Sequence, residues 1–187
     1  GTSIVETAYE NPDGSFGLIG PASVYGGDMT ALATATDLPF QAAVQSEVNS
    51  YKGMVLGESA EKTRTFTTAD LIEYADLTGD HNPLFIDGAA AKERGLADCM
   101  VPLPLLCGLF SDLLGTQLPG RGTNWLKLNV ALIRPAIVGE RVTAVVEIIR
   151  LRPEKNLLNL KTLCINSNGD TLCVGEALVL ARDVLTR

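Results

Sequence analysis

The sequence has little histidine, few aromatic residues and no long hydrophobic run. Its 187 residues include one histidine, His81, and four cysteines, none of which forms a CxxC pair. With so few nitrogen and sulfur ligands, a zinc site is not expected. No apolar stretch approaches the roughly 18 residues of a membrane-spanning helix, and no secretory signal is recognisable. We therefore expect neither a metal centre nor a membrane anchor.

Positive charge is also scarce in this chain. Lysine and arginine together number 15 against 22 aspartates and glutamates, which gives a net charge of −7. This balance argues against nucleic acid as a partner. The four cysteines stand among apolar neighbours, which is typical of buried free thiols in a reducing compartment. We expect a cytoplasmic protein without a cofactor.

The first fifty residues differ in composition from the remainder. Residues 1–50 are rich in glycine, proline and asparagine turn signals and show little periodicity, with a short helix predicted near Gln41–Val48. We interpret residues 1–50 as an irregular arm or lid. Residues 51–187 then form one folded domain, and the chain is long enough to bury a sizeable core.

Periodicity within the domain predicts one buried helix and several long strands. Apolar side chains cover most of the circumference of Pro102–Leu118, which is typical of a helix surrounded by protein. Alternating apolar and polar residues predict the strands. They are an edge strand over Lys62–Phe66 and four segments after the helix, Trp125–Arg134, Arg141–Leu151, Leu157–Asn166 and Thr171–Ala181. An α+β domain with an antiparallel sheet curled around the helix follows from this order.

A second helix leads into the most informative stretch of the chain. Thr67 or Thr68 is expected to cap an amphipathic helix over Asp70–Leu77. Its buried face is predicted to carry Leu71, Ile72, Ala75 and Leu77. After this helix come an acid, an Asn-Pro turn and an apolar return, in the run Asp80–Asp87. A carboxylate on such a loop can be directed at a ligand that lies beside the long helix.

Three separated blocks of the sequence resemble the MaoC-like, (R)-specific enoyl-CoA hydratase family. The blocks are Thr78–Leu84 with Asp87, Leu113–Gly120 and Arg134–Val142, and they occur in the family's order. The resemblance implies a hotdog fold, in which an antiparallel sheet wraps a long central helix, and usually a dimer. It also implies substrates that are acyl thioesters of coenzyme A or of acyl carrier protein.

The family's mechanism can be placed on this chain residue by residue. The family hydrates an enoyl thioester with an aspartate and a histidine five residues later, and Asp80 and Asn82 match this motif. Phe85 stands at the histidine position, and Pro102-Leu103 stands where the family has His-Gly before the central helix. Phe85 neither accepts nor donates a proton, whereas the backbone N–H of Leu103 can still bind a thioester oxygen.

Each candidate residue also has a structural interpretation. Asp80 as a general acid or base competes with an acid that shapes an Asx turn before Asn82. His81 could replace the absent histidine or lie on the surface, since the residue before a proline is held extended and neighbours on an extended chain point apart. Asn82 as a ligand contact competes with a turn residue. Phe85 is either a wall of the substrate pocket or part of the core.

Three functions are compatible with these observations. The first is a divergent hydratase or dehydratase, a lyase acting on an enoyl or 3-hydroxyacyl thioester or a similar elongated substrate, with Asp80 and His81 as catalytic candidates. In this interpretation Asn82, Phe85, Pro102 and Leu103 bind the substrate. The second is a non-catalytic hotdog subunit that holds the acyl chain beside a catalytic partner, and the third is an isomerase or cyclase for a polyketide-like substrate. We expect a homodimer, or a heterodimer with another hotdog chain.

Overall fold

The computed structural model describes residues 7–10, 16–19 and 49–186. The chain divides into two compact units, residues 1–47 and 48–187. The first contains an antiparallel pair of strands, β1 (Thr7–Glu10) and β2 (Phe16–Ile19), which the sequence analysis did not predict. The helix predicted near Gln41–Val48 lies outside the described residues, and the role of residues 1–50 as an arm or lid stays a prediction.

The second unit is built on a five-stranded antiparallel sheet. Two short strands, β3 (Ser50–Tyr51) and β4 (Met54–Val55), form a hairpin that precedes it. The sheet has the strand order β5-β7-β8-β9-β6, so β5 and β6 are its edges. Its members are β5 (Ser59–Thr65), β6 (Asn124–Leu132), β7 (Arg141–Arg152), β8 (Leu157–Asn166) and β9 (Thr171–Leu180). All five predicted strands are present.

Within residues 49–186, four helices precede strand β6. They are α1 (Thr68–Thr78), α2 (Pro83–Ile86), α3 (Gly88–Glu93) and α4 (Leu103–Thr116), with a short 3₁₀ turn at Pro153–Lys155 between β7 and β8. Helix α4 is the predicted central helix, and it packs against β5, β6 and β7. The predicted α+β hotdog architecture is therefore confirmed. Within the described residues, no helix combines the length and apolar character needed to cross a bilayer.

The core lies between α4 and the inner face of the sheet. Because side chains alternate along a strand, every second residue of β7 and β8 points towards the helix. These side chains are fully or almost fully buried, which agrees with the alternation that predicted the strands, and they are Val142, Ala144, Val146, Ile148, Leu158, Leu160, Thr162 and Cys164. From α4, the side chains of Leu106, Phe110 and Leu113 fill the same core.

The prediction for the buried face of α1 was partly wrong. Leu71 and Ala75 are buried, but Ile72 is 49% and Leu77 is 87% exposed. Residues four apart on a helix share a face, whereas Ile72 is rotated by about 100° from Leu71. The face of α1 that packs inward therefore includes Tyr74. The hydroxyl of Tyr74 thus lies on a face of the helix that was expected to be wholly apolar.

Candidate functional site

The Asp80 loop is fixed by a series of local hydrogen bonds. Helix α1 ends at Gly79, whose φ of 74° is readily available to glycine. The backbone N–H of Asp80 then donates to Oγ1 of Thr78 over 3.2 Å. The carboxylate Oδ1 of Asp80 accepts from the backbone N–H of Asn82 over 3.3 Å. The carboxylate thus shapes an Asx-type turn, as the structural interpretation required, and it stays half-buried.

The second carboxylate oxygen of Asp80 has a partner that the sequence analysis missed. The hydroxyl of Tyr74 donates to Oδ2 of Asp80 over 3.2 Å. The ring of Tyr74 meets the ring of Phe85 edge to face, with 6.4 Å between centroids and 79° between planes. Phe85 itself is 8% exposed. The sequence did contain a signal for the position of Tyr74. It lies three residues after Leu71 and directly before Ala75, and this spacing places it on the same side of the helix as these two buried residues.

Two further residues of the predicted site, His81 and Asn82, are exposed on this loop. His81 is exposed on the loop next to Asp80. Asn82 is exposed as well and caps α2, because its side-chain Oδ1 accepts from the backbone N–H of Leu84 over 3.1 Å. Their predicted roles in catalysis and ligand binding stay predictions. The cap accounts for the residue type at Asn82 on structural grounds.

The second half of the predicted site is the start of α4. Pro102 is buried and precedes the helix, while Leu103 is its first residue and is partly buried. The backbone N–H of Met100 donates to the carbonyl of Leu84 over 2.9 Å. This bond ties the one-turn helix that carries Phe85 to the segment that enters α4. One backbone hydrogen bond therefore joins the segment between Asn82 and Phe85 to the segment that precedes Pro102.

A cavity of about 450 Å³ lies between β5, α1 and α4. Its apolar part comes from Phe66, Leu77, Leu105, Gly108 and Leu109, and its polar part from Lys62, Arg64, Asp70, Glu73, Tyr74 and Asp112. None of the six site residues predicted from the sequence lines this cavity. The Asp80 carboxylate is connected to it through Tyr74, which both lines the cavity and contacts Asp80.

Two ion pairs hold the elements around the cavity together. Nζ of Lys62 lies 2.7 Å from Oδ2 of Asp112, which links β5 to α4. One guanidinium nitrogen of Arg64 lies 2.5 Å from Oδ1 of Asp70, which links β5 to α1. Hydrogen bonds from the backbone and hydroxyl of Thr67, aided by Arg64, lower the pKa of Asp70. Both basic side chains of the cavity are thus already neutralised by neighbouring carboxylates.

The cysteines are free thiols in this structure. Cys99, Cys164 and Cys173 are buried, as predicted, and Cys107 is partly exposed. Cys164 and Cys173 face each other across β8 and β9, and the hydrogen bond between them, together with burial, raises the pKa of Cys164. Among residues 49–186 and the two short N-terminal strands, no three histidine, cysteine or acidic side chains are placed to hold a metal ion.

Comparison with known proteins agrees with this architecture. The model of the MaoC like domain matches residues 53–162, more than half of the chain. An (R)-specific enoyl-CoA hydratase of Aeromonas caviae is 36% identical over 70% of this chain and 97% of its own length. A mitochondrial 3-hydroxyacyl-[acyl-carrier-protein] dehydratase of Solanum lycopersicum is 32% identical over 67% of this chain and 76% of its own length.

A solved structure of one such relative has a similar fold. The (R)-hydratase from A. caviae involved in PHA biosynthesis superposes with a TM-score of 0.67 and 36% identity, over 69% of this chain and 98% of that one. The chain belongs to the MaoC-like domain family. The resemblance noted in the sequence is confirmed.

Proposed function

We propose that this chain is a hydratase or dehydratase that adds water to, or removes it from, the α,β-carbons of an acyl thioester. The relatives at 36% and 32% identity carry the names of such enzymes, which supports the proposal. The observation that carries it is the carboxylate of Asp80. It is half-buried, held by Asn82 and Tyr74, and sits on a loop tied through Leu84 to the entrance of α4.

In the proposed reaction Asp80 moves the proton of the water molecule. In the hydration direction its carboxylate accepts a proton while the water oxygen attacks the β-carbon. The first turn of α4 would receive the negative charge that develops on the thioester oxygen. The backbone N–H of Leu103 points from the start of this helix, where unpaired N–H groups and the helix dipole favour an anion. Dehydration follows the same steps in reverse.

The proposed substrate is a thioester of coenzyme A or of acyl carrier protein. The names of the two relatives divide between these carriers, one being an enoyl-CoA hydratase and the other an acyl-carrier-protein dehydratase. Enoyl chains of increasing length on both carriers therefore form the substrate panel. The carrier and chain length with the highest kcat/KM identify the preferred substrate.

Replacing Asp80 by asparagine tests the proposal. We expect Asp80→Asn to lower kcat for crotonyl-CoA or a longer enoyl thioester by about 10²- to 10⁴-fold, the range typical of a lost proton-transfer group. Asp76→Asn, a change of the same chemistry on the exposed side of α1, is the control and should leave turnover unchanged. Equal turnover of Asp80→Asn and the wild-type chain would exclude Asp80 from the mechanism.

A second candidate function is favoured by the burial of Phe85. An aromatic side chain that transfers no proton occupies the position of the family's histidine and is 8% exposed. A non-catalytic subunit that binds the acyl chain beside a catalytic hotdog partner would have such a residue. Absence of turnover in the pure chain, together with co-purification of a second hotdog chain that restores it, would favour this function over the first.

A further inference from the structure

Tyr74 links the Asp80 loop to the cavity. Its hydroxyl donates to Oδ2 of Asp80 over 3.2 Å, and its side chain is also part of the lining between β5, α1 and α4. Leu71 and Ala75 on the same flank of α1 are buried, so the helix face that carries Tyr74 is fixed by packing. Among residues 49–186, no other side chain that lines the cavity hydrogen-bonds to the carboxylate of Asp80.

The same tyrosine contacts Phe85, the residue that the motif resemblance places at the position of the family's histidine. Phe85 packs against the ring of Tyr74 at a centroid distance of 6.4 Å. Phe85 supplies shape but no exchangeable proton, whereas a phenol both donates and accepts a hydrogen bond. The position that lost a proton-transfer group is therefore in direct contact with a residue that brings one to Asp80.

We propose that Tyr74 is the second proton-carrying group of this site, taking over the role for which Phe85 is unsuited. This inference rests on the proposed hydratase function. It adds a residue to that function, and it explains how the site can work with phenylalanine at position 85. It gives His81, which is exposed, no part in the reaction.

The bonds and protons of the proposed step balance without any further reactant. One O–H bond of water breaks as Asp80 takes the proton, and the water oxygen forms a bond with the β-carbon of the enoyl thioester. The π electrons of the double bond move to the α-carbon, which takes the proton of the Tyr74 hydroxyl. Asp80 then returns its proton to the Tyr74 oxygen along their hydrogen bond. The site is restored, and one water molecule has been added.

The surroundings keep the tyrosine protonated at neutral pH. Burial is the largest cause that raises the pKa of Tyr74, and the hydrogen bond and charge of Asp80 raise it further. Other charged groups of the cavity come from β5, α1 and α4, and they are Lys62, Arg64, Asp70, Glu73 and Asp112. Lys62 and Arg64 are paired with carboxylates, and this limits how far their positive charges lower the pKa of the Tyr74 hydroxyl.

Variants of Tyr74 and Phe85 test the inference by turnover. We expect Tyr74→Phe to lower kcat for enoyl-thioester hydration by about 10²-fold with little change in KM, since it removes a transition-state group and keeps the ring. Adding Phe85→His to that variant restores an imidazole at the family position and should recover at least about tenfold in kcat. Tyr51→Phe is the matched control, because its hydroxyl bonds to Asn156, away from the cavity lining.

The possible outcomes separate this inference from the proposed function. Turnover of Tyr74→Phe within about twofold of the wild-type chain, or a folded double variant no faster than Tyr74→Phe, overturns the role of Tyr74 and leaves the function standing. Absence of turnover in the wild-type chain overturns both. Thermal unfolding of each variant shows whether a lost rate reflects a lost fold.

An optical titration tests the Tyr74–Asp80 contact without relying on turnover. The ultraviolet difference between a chain and the same chain with Tyr74→Phe follows the ionisation of Tyr74 alone, and it is measured in the wild-type and the Asp80→Asn backgrounds. We expect Asp80→Asn to lower the pKa of Tyr74 towards its ordinary value of 10.0 but not to reach it, because burial remains. An unchanged titration in Asp80→Asn means that the contact is absent, and this overturns the inference.

Discussion

At the scale of single residues, Asn82 has an observed structural role that can be separated from its predicted ligand contact. Its Oδ1 caps α2 by accepting from the backbone N–H of Leu84. The cap does not use the amide nitrogen, so the predicted ligand contact can be tested on that atom separately. The observed cap and the predicted contact therefore concern different atoms of the same amide. A substitution that keeps an acceptor oxygen but removes the nitrogen separates them.

We expect Asn82→Ala to lower the free energy of unfolding by about 1 kcal/mol, because the cap of α2 is lost. Asn82→Ser retains a capping oxygen, and we expect its stability to remain close to that of the wild-type chain. If the amide nitrogen binds substrate, KM rises in both variants. Urea unfolding and steady-state kinetics check the two effects, and equal stability of the alanine and serine variants would contradict the capping role.

At the scale of elements, α1 is the part of the fold that carries Tyr74 to the site. Its first turn is fixed by a capping box, in which Thr67 and Asp70 exchange hydrogen bonds. The same acid is paired with Arg64 of β5. The orientation of the helix therefore depends on one carboxylate that is stabilised in its charged form.

The pKa of Asp70 gives a prediction for stability against pH. Its pKa is lowered from 3.8 in the folded chain, so its contribution to stability is fully present above 3.8 and is lost as the pH falls below this value. We expect Asp70→Asn to be less stable than the wild-type chain at neutral pH and the difference to shrink below pH 3.8. Denaturant unfolding at several pH values measures this.

Asp76→Asn serves as the control for Asp70→Asn, because Asp76 is exposed on the same helix and makes no cap. Its stability relative to the wild-type chain should not follow the pattern of Asp70→Asn. A stability difference for Asp70→Asn that stays constant from neutral to acid pH would show that the capping box does not stabilise the charged form.

At the scale of the whole molecule, the two edges of the sheet differ. Edge strand β5 carries Lys62 and Arg64, which are paired with acids of the helices. The other edge, β6, and the residue after it expose large apolar side chains, with Leu132 at 41% and Ile133 at 60%. An open edge with apolar side chains is prone to pair with another chain. We therefore predict that two subunits associate through β6.

Lysine substitution at this edge tests the assembly. We expect the wild-type chain to be a dimer in sedimentation experiments and Leu132→Lys with Ile133→Lys to shift it to monomer. Ile149→Lys is the matched control, since Ile149 is 42% exposed but belongs to the interior strand β7. A monomeric wild-type chain, or a dimer that survives the substitutions in β6, would contradict the prediction.

Much of the architecture was predictable because it depends on local periodicity. The alternation in β7 and β8 identified the buried side chains, and continuous apolar character identified α4. The one-turn helix α2 was missed, because its first turn consists of a cap and a proline rather than a periodic pattern. Ile72 and Leu77 of α1 were misplaced, because apolar character alone does not decide which flank of a short helix meets the core.

The amino-acid sequence by itself determined the five strands of the sheet, the central helix, the cap of α1 and the family, since each depends on residues that are near one another in the chain or on matching motifs. Only the tertiary structure decided that Tyr74 contacts Asp80 and that the cavity lies on its side of α1. The reason is physical. A hydrogen bond across a helix end depends on the rotation of α1 about its axis, and the packing of Leu71 and Ala75 against their neighbours fixes that rotation.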